Sequence, residues 1–211
     1  MVFSFRSRML ETDPESTVLH DEKVCATDGR FVTYAQVCLS SLYQKDQFQI
    51  MASASHMSYE SPPPFAAVFV EVEVDTETGE TRVIAVWSGH DVGRVVNPTT
   101  GEGQVEGGVV QGLGYALVEE HAMRDGRILN DQFSTYIIPT SLDTPEIHSI
   151  LVEHAFPWGP YGAKGLGETP IIAVAPAVTA AIHHATGIRL REIPATPERL
   201  WAALRRDQAV G

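Results

Sequence analysis

The most regular alternation in the chain lies in "FAAVFVEVEVDTETGETRVIAVWSGHDVG", where Val70, Val72 and Val74 alternate with Glu71 and Glu73. A period of two puts the valines on one face of a strand and the glutamates on the other. The turn residues of "DTETGE" and the return of Val83, Ala85 and Trp87 predict a β-hairpin with one buried face. A helical period follows over residues 107–120, "GGVVQGLGYALVEE", where Val109, Val110, Leu113, Ala116 and Leu117 share a stripe. Each glycine inside that helix costs about 1 kcal/mol relative to alanine, so something has to pack closely against it.

Shorter patterns fill the rest. "TVLHDEKVCA", closed by Asp28-Gly29, predicts a strand, and "TYAQVCLSSLY" predicts a helix carrying Val37 and Leu42. Residues 46–64 turn polar and end on Pro62-Pro63-Pro64, which marks a connection. "GRIL" and "IHSILVEH" predict a second hairpin-like pair. "PIIAVAPAVTAAIHHATG" is apolar almost all round and predicts a buried helix, capped by Gly187 and kinked or restarted at Pro176. "TPERLWAAL" predicts a last helix with Thr196 as N-cap, Pro197 first and Glu198 in the first turn. The sum is an α+β fold of mixed β-hairpins and sheet with packed helices, read as one region over residues 1–211.

Charge narrows the partners. A formal net charge of −12 over 211 residues repels phosphate backbones and anionic lipid. Neither nucleic acid nor a membrane is expected as a partner. The first twenty residues lack the apolar run and cleavage site of a leader, so the expected location is cytoplasmic. Cys25 and Cys38 match no disulfide, zinc or iron-sulfur spacing and are expected to be core thiols.

Several candidate motifs fail on spacing. "GEGQVEGG" at 101–108 has the wrong glycine interval for a dinucleotide loop and follows a hairpin rather than opening a βαβ unit. In "GAKGLGE" Lys164 is followed by Gly165, where a phosphate P-loop needs Ser or Thr. His183 and His184 are adjacent and point about 100° apart on a helix, so no metal set is expected. No Gly-x-Ser-x-Gly elbow supports a hydrolase nucleophile.

Glu168 is the remaining charge of interest. It follows Gly162, Gly165 and Gly167 and precedes an apolar run. One reading makes it a cap at a helix N-terminus. The other makes it a general base in a site where the glycines let backbone approach an anionic ligand. Both remain open on local features.

Taken together, "DVGRVVNPTTGEGQVEGGVVQGLGYALVEE", "YGAKGLGETP" and "ATPERLWAAL" resemble the carboxy-terminal part of the molybdopterin-binding subunit of the xanthine oxidase family, the molybdenum hydroxylases. The resemblance runs in order over roughly residues 8–205. It implies that Glu168 is the catalytic base, removing a proton from a hydroxyl whose acidity the metal has raised. It implies that Gln104 reaches the pterin end of the cofactor. The "NPTT" turn (Asn97, Thr99, Thr100) and the "KGLG" backbone (Lys164, Gly165, Leu166, Gly167) then lie along the pterin and its nucleotide extension. The implied cofactor is molybdopterin in its cytosine dinucleotide form, with no protein side chain ligating the metal. [2Fe-2S] and FAD are implied on partner subunits, and the substrate is an aldehyde or N-heterocycle.

A complete subunit of that family is several times longer than this chain. The resemblance therefore implies a small split subunit, with a separate larger chain supplying the other pocket walls. The alternatives are a structural fragment that only binds a partner, and a cofactor-free hydrolase using Glu168.

Overall fold

Asp21 and Glu22 both take positive φ (45° and 56°), and that two-residue turn folds the predicted single strand "TVLHDEKVCA" into two: β1 (Thr17–His20) and β2 (Lys23–Ala26). A primed turn of this kind matches the right-handed twist of paired strands. Asp28-Gly29 then turns the chain into β3 (Phe31–Thr33), which completes an antiparallel sheet in the order β1-β2-β3. Helix α1 (Tyr34–Tyr43) follows. In this computed structural model, residues 9–43, 47, 49–51, 53, 55 and 57–208 are described. Residues 1–8 of the region read for a leader, and several positions of the polar 46–64 stretch, lie outside that set.

The chain divides into two compact units, residues 1–57 and 58–211. The first is held by a small core of Leu10, Val24, Ala26 and Val37, with Met9 and Val32 against it. Two expectations fail here. Leu42 is exposed, and α1 buries Val37 and Ser41, four residues apart on one face. Cys38 is exposed and Cys25 half-buried, so neither is a core thiol.

In the second unit the predicted hairpin forms as β4 (Ala66–Val74) and β5 (Thr81–Asp91). Its inner face differs from the simple alternation. Glu71 pairs with Ala85 and Val72 with Val83, which leaves Ile84 as a bulge. One extra residue exchanges the two faces. Beyond the bulge Val86, Ser88 and His90 are buried, while Trp87 turns outward and stacks on His148 with ring centroids 5.2 Å apart.

Helix α2 starts nine residues earlier than the expected 107–120 segment and spans Pro98–Leu117. Asn97 caps it, its side-chain Oδ1 accepting from the Thr100 N–H at 3.1 Å, and Pro98 occupies the first position. The chain then forms the two-residue ladder β6 (Met123–Arg124) with β7 (Arg127–Ile128). The expected pairing of "GRIL" with "IHSILVEH" does not occur. Strand β8 (Glu146–Val152) instead runs parallel to β5, giving the order β4-β5-β8. A parallel partner requires a crossover, and α2 lies within it.

The apolar segment after Glu168 is broken at Ala173 into α3 (Thr169–Ile172) and α4 (Val174–Thr186). Pro176 falls in the first turn of α4, where no intrahelical N–H is required of it. Pro170 and the stripe Val174, Val178, Ile182 are fully buried; Ile172, Pro176 and Ala180 face outward, so α4 is amphipathic rather than buried all round. Gly187, at φ 76°, closes α4 as expected. Thr196 Oγ1 accepts from the Arg199 N–H at 3.4 Å at the start of α5 (Pro197–Gln208). One core joins Val86, the α2 stripe (Val105, Val109, Leu113, Ala116), the α4 stripe, Leu200 and Leu204. Each fully buried aliphatic side chain there contributes about 1.5–3 kcal/mol. The fold is α+β, and no helix among the described residues is long and apolar enough to cross a membrane.

Candidate functional site

The glycines of α2 account for the helix's position. A Cβ on Gly108 would lie 2.6 Å from Pro170 Cβ, and one on Gly112 would lie 2.6 Å from Val174 Cβ. Only glycine lets α3 and the start of α4 settle at that distance. Pro170, fully buried, thus fixes the segment immediately after Glu168 against α2.

The other end of the Glu168 segment is fixed to the end of β5. Lys164 donates its backbone N–H to Val92 O at 2.9 Å, and Arg94 donates to Gly162 O at 3.0 Å. Lys164 Nζ is 2.6 Å from Asp91 Oδ2, with side-chain exposures of 5% and 13%. The hydrogen bond from Lys164 holds the Asp91 carboxyl below the usual carboxylate range, against burial, which raises it. Asp91 Oδ1 also accepts from the Gly93 N–H at 3.1 Å.

Between these anchors the backbone is open. A Cβ on Gly165 would meet no atom within 4 Å, and one on Gly167 would meet only Gln104 Oε1 at 4.0 Å. These glycines leave space on the loop surface, whereas Gly108 and Gly112 of α2 accommodate protein. Among the described residues, none of the N–H groups of Gly165, Leu166, Gly167 or Glu168 donates a hydrogen bond. Four successive unpaired donors form a surface suited to an anionic or strongly polar ligand.

Beside them runs a groove of about 290 Å³ between the β5–α2 connection, the first turns of α2 and the 163–166 segment. It brings together Asn97, Thr100, Gln104, Lys164 and Leu166. Arg94 lines it as well. Thr99, Gly165, Gly167 and Glu168 do not line it; Thr99 is exposed in the first turn of α2. Asn97 is committed to capping α2, and the Lys164 ammonium and N–H are committed to Asp91 and Val92. What this site has to offer a ligand is therefore the Gln104 amide, the Thr100 hydroxyl, the Arg94 guanidinium and the loop N–H groups. Two larger hollows, about 690 Å³ and 900 Å³, contain none of these residues.

Glu168 is exposed and stands at the N-cap position of α3, yet its side chain makes no capping hydrogen bond. The capping reading thus lacks its characteristic contact. Sequence reasoning gave no role to Asp91 or Arg94. Asp91 meets Lys164 across 73 positions, and no local pattern signals such a pair.

These donors fit a polar organic cofactor with anionic groups. No group of three or more His, Cys, Asp or Glu among the described residues could hold a metal ion.

The molybdopterin cofactor-binding domain family matches residues 2–145. The chain is 34% identical over 206 residues to the 6-hydroxypseudooxynicotine dehydrogenase complex subunit gamma of Paenarthrobacter nicotinovorans, covering 93% of this chain and 26% of that protein. It is 38% identical over 155 residues to the xanthine dehydrogenase molybdenum-binding subunit of Escherichia coli O157:H7, covering 72% and 21%. Quinoline 2-oxidoreductase from Pseudomonas putida 86 superposes with a TM-score of 0.78 at 28% identity, over 97% of this chain and 28% of that one. The chain spans a fifth to a quarter of the length of these curated relatives. With a domain match over most of its residues, the chain belongs to the molybdopterin cofactor-binding family of the xanthine oxidase type.

Proposed function

We propose that this chain forms one wall of a molybdopterin site in a molybdenum hydroxylase and carries its general base, Glu168. The observation that supports this most is the loop from Gly165 to Glu168, anchored at both ends, open at Gly165 and Gly167 and presenting four unpaired N–H groups beside Gln104. When bound, the cofactor supplies the redox centre that takes two electrons from the substrate carbon and presents a water-derived oxygen to it. The chain's own residues hold that group and manage a proton. The Gln104 amide and the loop N–H groups bind its polar edge, Arg94 offsets negative charge, and a Glu168 carboxylate oxygen accepts the proton released as the oxygen becomes nucleophilic. Exposed Glu168 is enclosed, in this reading, by the parts of the fold that lie outside these 211 residues.

The cofactor is molybdopterin in its cytosine dinucleotide form, and the substrate is an aldehyde or N-heterocycle. The remainder of the molybdenum-binding fold, as a larger subunit, completes the pocket. Electrons leave through [2Fe-2S] and FAD subunits, and the assembly works in the cytoplasm. The test is purification of the chain with its partners, with molybdenum and pterin quantified. About one of each per assembly supports the reading, and Gln104→Ala is expected to lower the content. An assembly without either would leave only a structural role for the chain.

A further inference from the structure

We propose that Asp91 and Lys164 are positioning residues for the Gly165–Glu168 loop, a latch at the end of β5 that fixes where the loop's donors and Glu168 stand. The inference rests on the reading of Glu168 as a base for its kinetic consequence, but its geometric part stands alone.

The loop has two fixed points. Downstream, buried Pro170 sits against the bare backbone of Gly108. Upstream, everything converges on Lys164. Its N–H bonds Val92 O and its ammonium lies 2.6 Å from Asp91 Oδ2. Gly93 between them has no room for a side chain, since a Cβ there would stand 2.3 Å from Gly162 O and 2.9 Å from Lys164 N. The next four N–H groups have no partner among the described residues, and the loop's own backbone is tied only at its far end, where Glu168 O accepts from the Ile171 N–H at 3.3 Å. Leu166 is half-buried against the groove and contributes packing, which tolerates sliding more readily than a directed ion pair does.

Asp91 is also rigid in its own right. It is the last residue of β5, its N–H bonds Phe65 O, and its second carboxylate oxygen is taken by Gly93. An almost fully enclosed pair of opposite charges with these supporting bonds has one favourable geometry. Breaking it by removing one partner leaves an uncompensated buried charge, which the loop escapes by moving. A displacement of about 1 Å at a catalytic group can cost on the order of 10²-fold in rate.

The experiment uses the assembled enzyme with Lys164→Met, Lys164→Arg and Asp91→Asn. Hydrogen–deuterium exchange over residues 163–169, kcat, KM and cofactor content are read for each. Lys164→Met and Asp91→Asn are expected to speed exchange in 163–169 while leaving 105–117 unchanged. They are expected to lower kcat by about 10- to 100-fold with KM within about twofold. Lys164→Arg, which restores a cation to Asp91, is expected to recover much of both. If Lys164→Met does not assemble, Asp91→Asn, which keeps shape and hydrogen-bonding capacity, carries the same expectations. Unchanged exchange in 163–169 for the variants that assemble overturns the latch. Faster exchange together with an unaltered rate in Glu168→Gln retains the latch and removes the base, so the two ideas fail separately.

Discussion

Gly107 and Gly108 are neighbours on α2, and the structure gives alanine opposite consequences at the two sites. A Cβ at Gly107 meets nothing within 4 Å, so Gly107→Ala gains only helix propensity, about 0.5–1 kcal/mol of added stability. A Cβ at Gly108 would lie 2.6 Å from Pro170 Cβ and 3.4 Å from both Ile171 N and the Pro170 carbonyl carbon. Ordinary carbon contacts are about 3.5–4.0 Å, so α2 and α3 would have to part by roughly 1 Å. None of these three atoms is the end of a flexible side chain. Overpacking of this kind costs about 1–3 kcal/mol, which outweighs the same propensity gain and leaves Gly108→Ala destabilised by about 1–2 kcal/mol. Urea unfolding followed by tryptophan fluorescence would measure both. With slopes of about 1–3 kcal/mol per molar, the midpoints should move in opposite directions and differ by about 1 M. Midpoints that move together would refute the assignment of Gly108 as a close-approach site.

Other expectations concern single contacts. Asn97→Ala should lower stability by about 1 kcal/mol by removing the cap on the Thr100 N–H, whereas Asn97→Asp should hold it; thermal melts compare the three proteins. Burial pushes the His90 imidazole pKa down, with Nε2 2.7 Å from Ser88 Oγ and Nδ1 unpartnered among the described residues. The unfolded chain therefore takes up the proton first, so the stabilising contribution is full above about pH 6.5 and is lost as pH falls below it. The stability gap between wild type and His90→Gln should narrow from pH 7.5 to pH 5, and a constant gap in urea titrations would contradict a neutral buried His90. Ile182→Ala, at a fully buried core position, should cost about 2–5 kcal/mol in the same assay.

What could be read from the sequence depended on whether it was written locally. The valine alternation placed β4 and the start of β5, and Gly187 placed the end of α4, because both signals act within a few residues. Ile84 escaped notice because a bulge is one residue of excess relative to a partner strand, which no single strand reveals. The parallel β5–β8 pairing was misread as a hairpin because "IHSILVEH" carries no mark of its partner's direction. In α2 the glycines announced a close neighbour, and it proved to be Pro170 and Val174. The motif residues were recognisable as a set, but only folding brings Gln104 beside Gly167 and Asp91 to Lys164. The open backbone after Lys164 is a property of missing contacts, and sequence patterns do not record those.

The role of Glu168 is best tested by the rate of the assembled enzyme carrying Glu168→Gln, with molybdenum and pterin content measured on the same sample. Gln keeps the size and polarity of the side chain and removes only its basicity. A fall of about 10² to 10⁴ in kcat at unchanged cofactor content is expected. A fully loaded variant that turns over at the wild-type rate would contradict a general base at this position.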